Sequence, residues 1–101
     1  MITERQKARV AYGFDCGCFE ARRRAIESSA KHNIVEHLPI ILRILHDDTD
    51  DEIQLAAIIA IGKLGSHQQV PLLEQILQTT PFDDFKEAVT TSISQIQTRQ
   101  V

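Results

Sequence analysis

The chain has 101 residues, 43% of them apolar and 25% charged, with four Gly, three Pro and a net charge of −3. That is the length of one domain, able to bury roughly 60–65% of its unfolded surface, and too apolar and too weakly charged for bulk disorder. The longest wholly apolar run, residues 55 to 61, falls far short of the ~20 residues that a membrane span needs.

Apolar residues recur three and four apart almost throughout, and no stretch alternates with a period of two, so every predicted element is a helix. The first is predicted to start at Thr3, with Gln6 three residues on, and to stop near Gly13; the second runs from about Cys18 to His32. The third carries Leu38, Ile41, Leu42 and Leu45, and the fourth Ile53, Ala56, Ala57, Ala60, Ile61 and Leu64. Between these two, residues 47–50 form an acidic break, with Thr49 and Glu52 spaced as a capping box. Gly65 suits the left-handed position past a helix end. Pro81 suits a first helical turn, where its missing N–H is no loss. Asp83 and Asp84 follow where the helix dipole favours negative charge. The terminal Gln-Thr-Arg-Gln-Val reads as a frayed tail.

The chain repeats itself. A shift of 32 residues sets Leu38-Pro39-Ile40-Ile41 on Val70-Pro71-Leu72-Leu73, Ile44-Leu45 on Ile76-Leu77, Asp51 on Asp83, Ala56 on Ala88 and Ile61 on Ile93. Upstream the match weakens, although Glu20 still meets Glu52 and Ala25 meets Ala57. The expected organisation is a single domain with a degenerate repeat over 3–32, a repeat over 34–65 and a capping repeat over 66–98. The helix ending at Leu64 is apolar nearly all round, since Leu55, Ile58 and Ile59 lie off its main stripe, so it must be covered on more than one side. A middle repeat of a solenoid meets that requirement. The last copy has Glu87, Thr90 and Thr91 at those positions, as a terminal repeat should.

Residues 38 to 65 resemble a bacterial HEAT-like repeat: an apolar helix ending in Leu, an acidic turn, then a helix with paired alanines and a closing Gly-x-Leu-Gly. Repeats of this type are grouped with the phycobilisome-lyase HEAT-like family. The resemblance implies an all-α fold, a short right-handed α-solenoid of about three antiparallel helical hairpins. Members usually place an Arg after the acidic turn; this chain has Gln54 there, and Lys86 in the next copy.

Catalytic chemistry is not legible. No nucleophile with a base, Gly-rich phosphate loop or dinucleotide fingerprint is present, so no enzyme activity and no cofactor are expected. Cys16-Gly17-Cys18 are weak metal candidates, because zinc sites prefer Cys-x₂₋₄-Cys and His32 should lie a helix length, about 20 Å, away. A structural turn with two half-buried thiols is the better reading. The acidic run at Asp47, Asp48, Asp50, Asp51 and Glu52 lacks the Gly and Glu of a calcium loop and reads as helix capping.

Residues 1–33 are net +3 (seven basic against four acidic side chains) and residues 34–101 net −6 (four against ten). Arg22, Arg23 and Arg24 point about 100° apart on a helix, so they cannot cradle a phosphate together. That geometry and a pI near 5.7 argue against nucleic acid. The expected function is protein binding, as a small adaptor or scaffold, through rows aligned by the 32-residue register. Those rows are Arg22, Gln54 and Lys86; then Ile26, Ile58 and Thr90; then the small residues Ala30, Gly62 and Ser94, where a partner could approach closely. The resemblance implies an alternative, an accessory subunit or chaperone of an enzyme such as a bilin lyase. Residues 1–6 have no apolar stretch and two cysteines make no disulfide framework, so a cytoplasmic setting is expected, without membrane partners.

Overall fold

The computed structural model describes residues 2–15 and 17–99, and every regular element among them is helical. Three antiparallel hairpins follow one another: α1 (Glu4–Asp15) with α2 (Phe19–Lys31), α3 (Leu38–Asp47) with α4 (Asp51–Leu64), and α5 (Val70–Thr79) with α6 (Asp83–Arg99). Helices α2, α4 and α6 begin 32 residues apart. Single 3₁₀ turns, Val35–His37 and His67–Gln69, lead into α3 and α5 at the same interval. The protein is therefore a small α-solenoid. Helices α2, α4 and α6 lie side by side, while α1, α3 and α5 each rest on their own hairpin partner. The shortest molecular dimension, 17 Å, fits two packed layers of helices.

Burial follows position in the stack. Helix α4 lies between α2 and α6 and buries seven residues, among them Ile53, Ile58 and Ile61 with no exposed surface. Helix α1 buries none completely. The core is aliphatic apart from Phe85, with Ile26, Ile41, Leu73, Val89 and Ile96 fully covered around α4. Full burial of each such side chain contributes roughly 1.5–3 kcal/mol. Glu87, Thr90 and Thr91 of α6 are exposed, as the terminal position in the stack requires.

Several local expectations hold and others are corrected. Thr3 and Gln6 form the predicted reciprocal cap, with Thr3 Oγ1 accepting from Gln6 N–H and Gln6 Oε1 accepting from Thr3 N–H. Helix α1 does not stop at Gly13 but continues to Asp15; Gly13 marks the crossing with α2, where a Cβ would lie 3.1 Å from Ala21 O. Asp50, not Thr49, caps α4, its carboxylate accepting from Glu52 and Ile53 N–H. A full negative charge suits the positive helix end better than a hydroxyl does. Gly65 is extended (φ −79°, ψ 173°), not left-handed, and its carbonyl is taken by Arg99 Nη2 at 2.7 Å. Pro81 lies ahead of α6, which starts at Asp83. The C-terminal segment is not frayed as far as Arg99: α6 is continuous, and Arg99 Nη1 also donates to Gly62 O at 2.8 Å.

Candidate functional site

The exposed faces of α2, α4 and α6 form one continuous surface, and the 32-residue register orders it. On α4 the outward stripe is Glu52, Leu55, Ile59 and Lys63, each about one turn from the last. Ile59 is 44% exposed, and Leu55 half-buried beside it, so the two form an apolar ridge. A groove of about 390 Å³ separates this ridge from Arg23, Glu27 and Ala30 of α2. A second, of about 410 Å³, separates it from Asp84, Glu87, Ala88 and Thr91 of α6.

The two grooves differ in charge. In the first, Arg23 reaches three carboxylates, Glu20 at 3.3 Å, Glu52 at 3.6 Å and Glu27 at 3.8 Å. Its Nε is shielded and lacks a hydrogen-bond partner, the Glu27 oxygen being too distant to accept. Lys63 balances the remaining charge, so this groove is close to neutral. The second groove is lined by Asp84 and Glu87 with no basic side chain. Asp84 gives one oxygen to Phe85 N–H, and neither acid is in an ion pair among the described residues. One side of the ridge is neutral and the other acidic.

Of the rows inferred from sequence, Ala30 lines the first groove, while Arg22, Ile26, Gln54, Ile58 and Gly62 lie one residue off this surface. Arg22 is turned into the joint between hairpins, where Nη1 donates to Asp48 Oδ2 at 2.6 Å. Gln54 Nε2 donates to Asp48 O, also at 2.6 Å, so both clamp the turn between α3 and α4. Ile26 and Ile58 have no exposed surface at all. They belong to the aliphatic core and cannot anchor a partner on the folded protein. Gly62 is buried too: a Cβ there would lie 2.5 Å from Ser92 Oγ, so its smallness serves the approach of α6. Lys86, Thr90 and Ser94 are exposed, and Thr90 and Ser94 lie toward the open end of the stack. The surface rows are instead Arg23, Leu55 and Glu87, then Glu27, Ile59 and Thr91. The register holds, but on α2 and α4 the inferred phase is one residue off for most of the rows, and one residue turns a helix by about 100°. A signal for the phase existed. Glu52 and Lys63, eleven residues apart, fall on the same face as Leu55 and Ile59 and mark it as solvent-facing.

Other candidates are placed as follows. Cys18 is a free, exposed thiol at the start of α2 and not half-buried, Gly17 before it has a positive φ of 76°, and Cys16 lies outside the described residues. Among the described residues no three His, Cys, Asp or Glu side chains form a metal-binding group. Of the three consecutive arginines, Arg22 and Arg23 are engaged in ion pairs and Arg24 is exposed. Within the acidic turn, Asp48 accepts from Arg22 and from Asp50 N–H, and Asp50 caps α4.

Comparison with known proteins agrees with this architecture. The family described as HEAT repeats matches residues 13–94. The chain belongs to that family. No curated protein and no solved structure matches it. The HEAT match begins at the end of α1 and ends within α6, so it takes in α2 to α5 whole and most of α6. HEAT repeats generally mediate protein–protein interaction. No helix among the described residues is long and apolar enough to cross a membrane.

Proposed function

We propose that this HEAT protein is a small adaptor that binds another protein across the face of α2, α4 and α6, with no catalysis of its own. The supporting observation is the Leu55–Ile59 ridge: a HEAT helix exposes large apolar side chains between two grooves at the centre of the stack. Anchors near the middle of an interface tend to dominate affinity, whereas charges at its rim tune rate and salt dependence. Arg23, Glu87 and Lys63 supply that rim, and Lys86 and Thr90 extend it toward the open end. A cytoplasmic setting belongs to the same proposal.

The test is a pull-down from native lysate with wild type, Ile59→Asp and Leu72→Asp, each with a thermal melt. Leu72, 37% exposed on α5, controls for loss of any surface apolar residue. Ile59→Asp should keep its melting temperature within a few degrees and lose the captured protein, while Leu72→Asp keeps it. Retention by folded Ile59→Asp, or loss only with Leu72→Asp, refutes this face. The resemblance of residues 38–65 to the phycobilisome-lyase type carries an alternative, service to a pigment-attaching enzyme. A bilin in the eluate would favour it.

A further inference from the structure

The acidic groove between α4 and α6 has a complementary shape of charge elsewhere on the same chain. Helix α1 packs on α2, with Gly13 against Ala21 and Ala25, and its covered side carries Val10, Ala11 and Phe14, all partly buried. Its opposite face carries Arg5, Ala8, Arg9 and Tyr12, all exposed, within about 100° of one another around the helix. Tyr12, 74% exposed, is the most exposed large apolar side chain among the described residues. Among those residues neither Arg5 nor Arg9 is in an ion pair, although Lys7, on the inner face, pairs with Glu4 and Glu36. The stripe is thus two free cations followed by an unpacked aromatic ring.

We infer that α1 of one copy docks into the α4–α6 groove of a second copy, Arg5 and Arg9 facing Asp84 and Glu87, and Tyr12 covering Ile59. The lengths agree. Residues 5 to 12 span about 10 Å of helix, and residues 84 to 95 about 16 Å, at 1.5 Å per residue. Arg9 lies about 6 Å beyond Arg5 and Glu87 about 4.5 Å beyond Asp84, a difference that flexible guanidinium stems absorb. Tyr12, one turn further on, reaches the level of Thr91 and Ile59, where its ring gains apolar cover and its hydroxyl meets polar groups. The charge asymmetry of the sequence, net +3 over residues 1–33 and −6 over 34–101, steers copies head to tail. Because stripe and groove are different surfaces, the contact is heterologous, and it extends into short chains or closes into a ring instead of stopping at a two-fold dimer. One helix in one groove is a small interface, so association is weak and reversible.

Sedimentation of the purified chain reads this directly. Weight-average mass should rise beyond that of a dimer with concentration, and return to monomer on the order of 1 M salt, where the Debye length is about 3 Å. Arg9→Glu and Glu87→Arg alter exposed residues, so both should fold, and each should weaken association about tenfold or more by setting like charges together. Their equimolar mixture, and the Arg9→Glu/Glu87→Arg double variant, should regain it, because the swapped charges match again. Tyr12→Ala should weaken association while leaving capture of a foreign partner intact, which separates this inference from the adaptor reading. Wild type that stays monomeric at every concentration refutes the inference. So does association that survives both single reversals, and so does a groove that takes a foreign basic helix but not α1.

Discussion

His37 shows how a single side chain couples the first hairpin to the second. It is 7% exposed, edge-on to Phe14 of α1 (5.4 Å between centroids, 85°), with Nδ1 2.8 Å from Ser29 Oγ of α2. Burial holds the imidazole below its ordinary value of 6.5; nearby Glu36 opposes that shift and Lys7 reinforces it. The unfolded chain therefore takes up a proton at a pH where the folded one still resists. The stabilising contribution of the neutral ring is present above 6.5 and declines as the pH falls below it, towards the folded-state value. The melting temperature should drop between about pH 7.5 and pH 5.5, each kcal/mol lost appearing as about 4–8 °C in a domain of this size. His37→Gln should flatten the slope. A slope that persists in His37→Gln would place the titration elsewhere.

At the scale of the element, equivalent positions in α4 and α6 are not equivalent in energy. Ile61 and Ile93 share the 32-residue register, yet Ile61 has no exposed surface while Ile93 is only partly buried. Truncating a buried Ile costs roughly 2–5 kcal/mol, most where neighbours on both sides prevent collapse. Ile61→Ala should therefore lower the denaturation midpoint more than Ile93→Ala in matched melts; equal losses would mean that α4 is not the better-covered helix. This inequality was readable from sequence, because α4 is apolar nearly all round and α6 is polar on one flank. The repeat length was readable for a related reason: apolar spacing and helix breaks both recur at 32. The rotation of each helix was harder to read. On a helix apolar all round, hydrophobic pattern alone cannot separate Ile58, sealed against its neighbours, from Ile59, open to solvent. The cap at Asp50 and the carbonyl contacts of Arg99 were missed for another reason. Both depend on which backbone groups the folded chain leaves unpaired, as at Gly62 and Gly65.

Across the whole molecule, cover decides where the stack opens first. In a solenoid each hairpin is stabilised by its own packing and by its neighbours, so the middle one gains from two interfaces and each end from one. The ends differ in kind here. Helix α6 buries Phe85, Val89, Ser92 and Ile96, and Arg99 ties it to the end of α4, whereas α1 buries nothing completely and rests mainly on α2. Amide exchange reads this gradient as opening free energy, from near zero in lightly covered segments up to the global value in the core. The α4 amides should exchange only on global unfolding, those of α6 close behind, and those of α1 fastest among the helices. Raising concentration adds a second comparison. If α1 docks in the groove of another copy, its amides should slow as copies associate while those of α5 stay unchanged. Protection in α1 equal to that in α4 in dilute solution would mean that the three hairpins open as one unit and that end cover does not set the order.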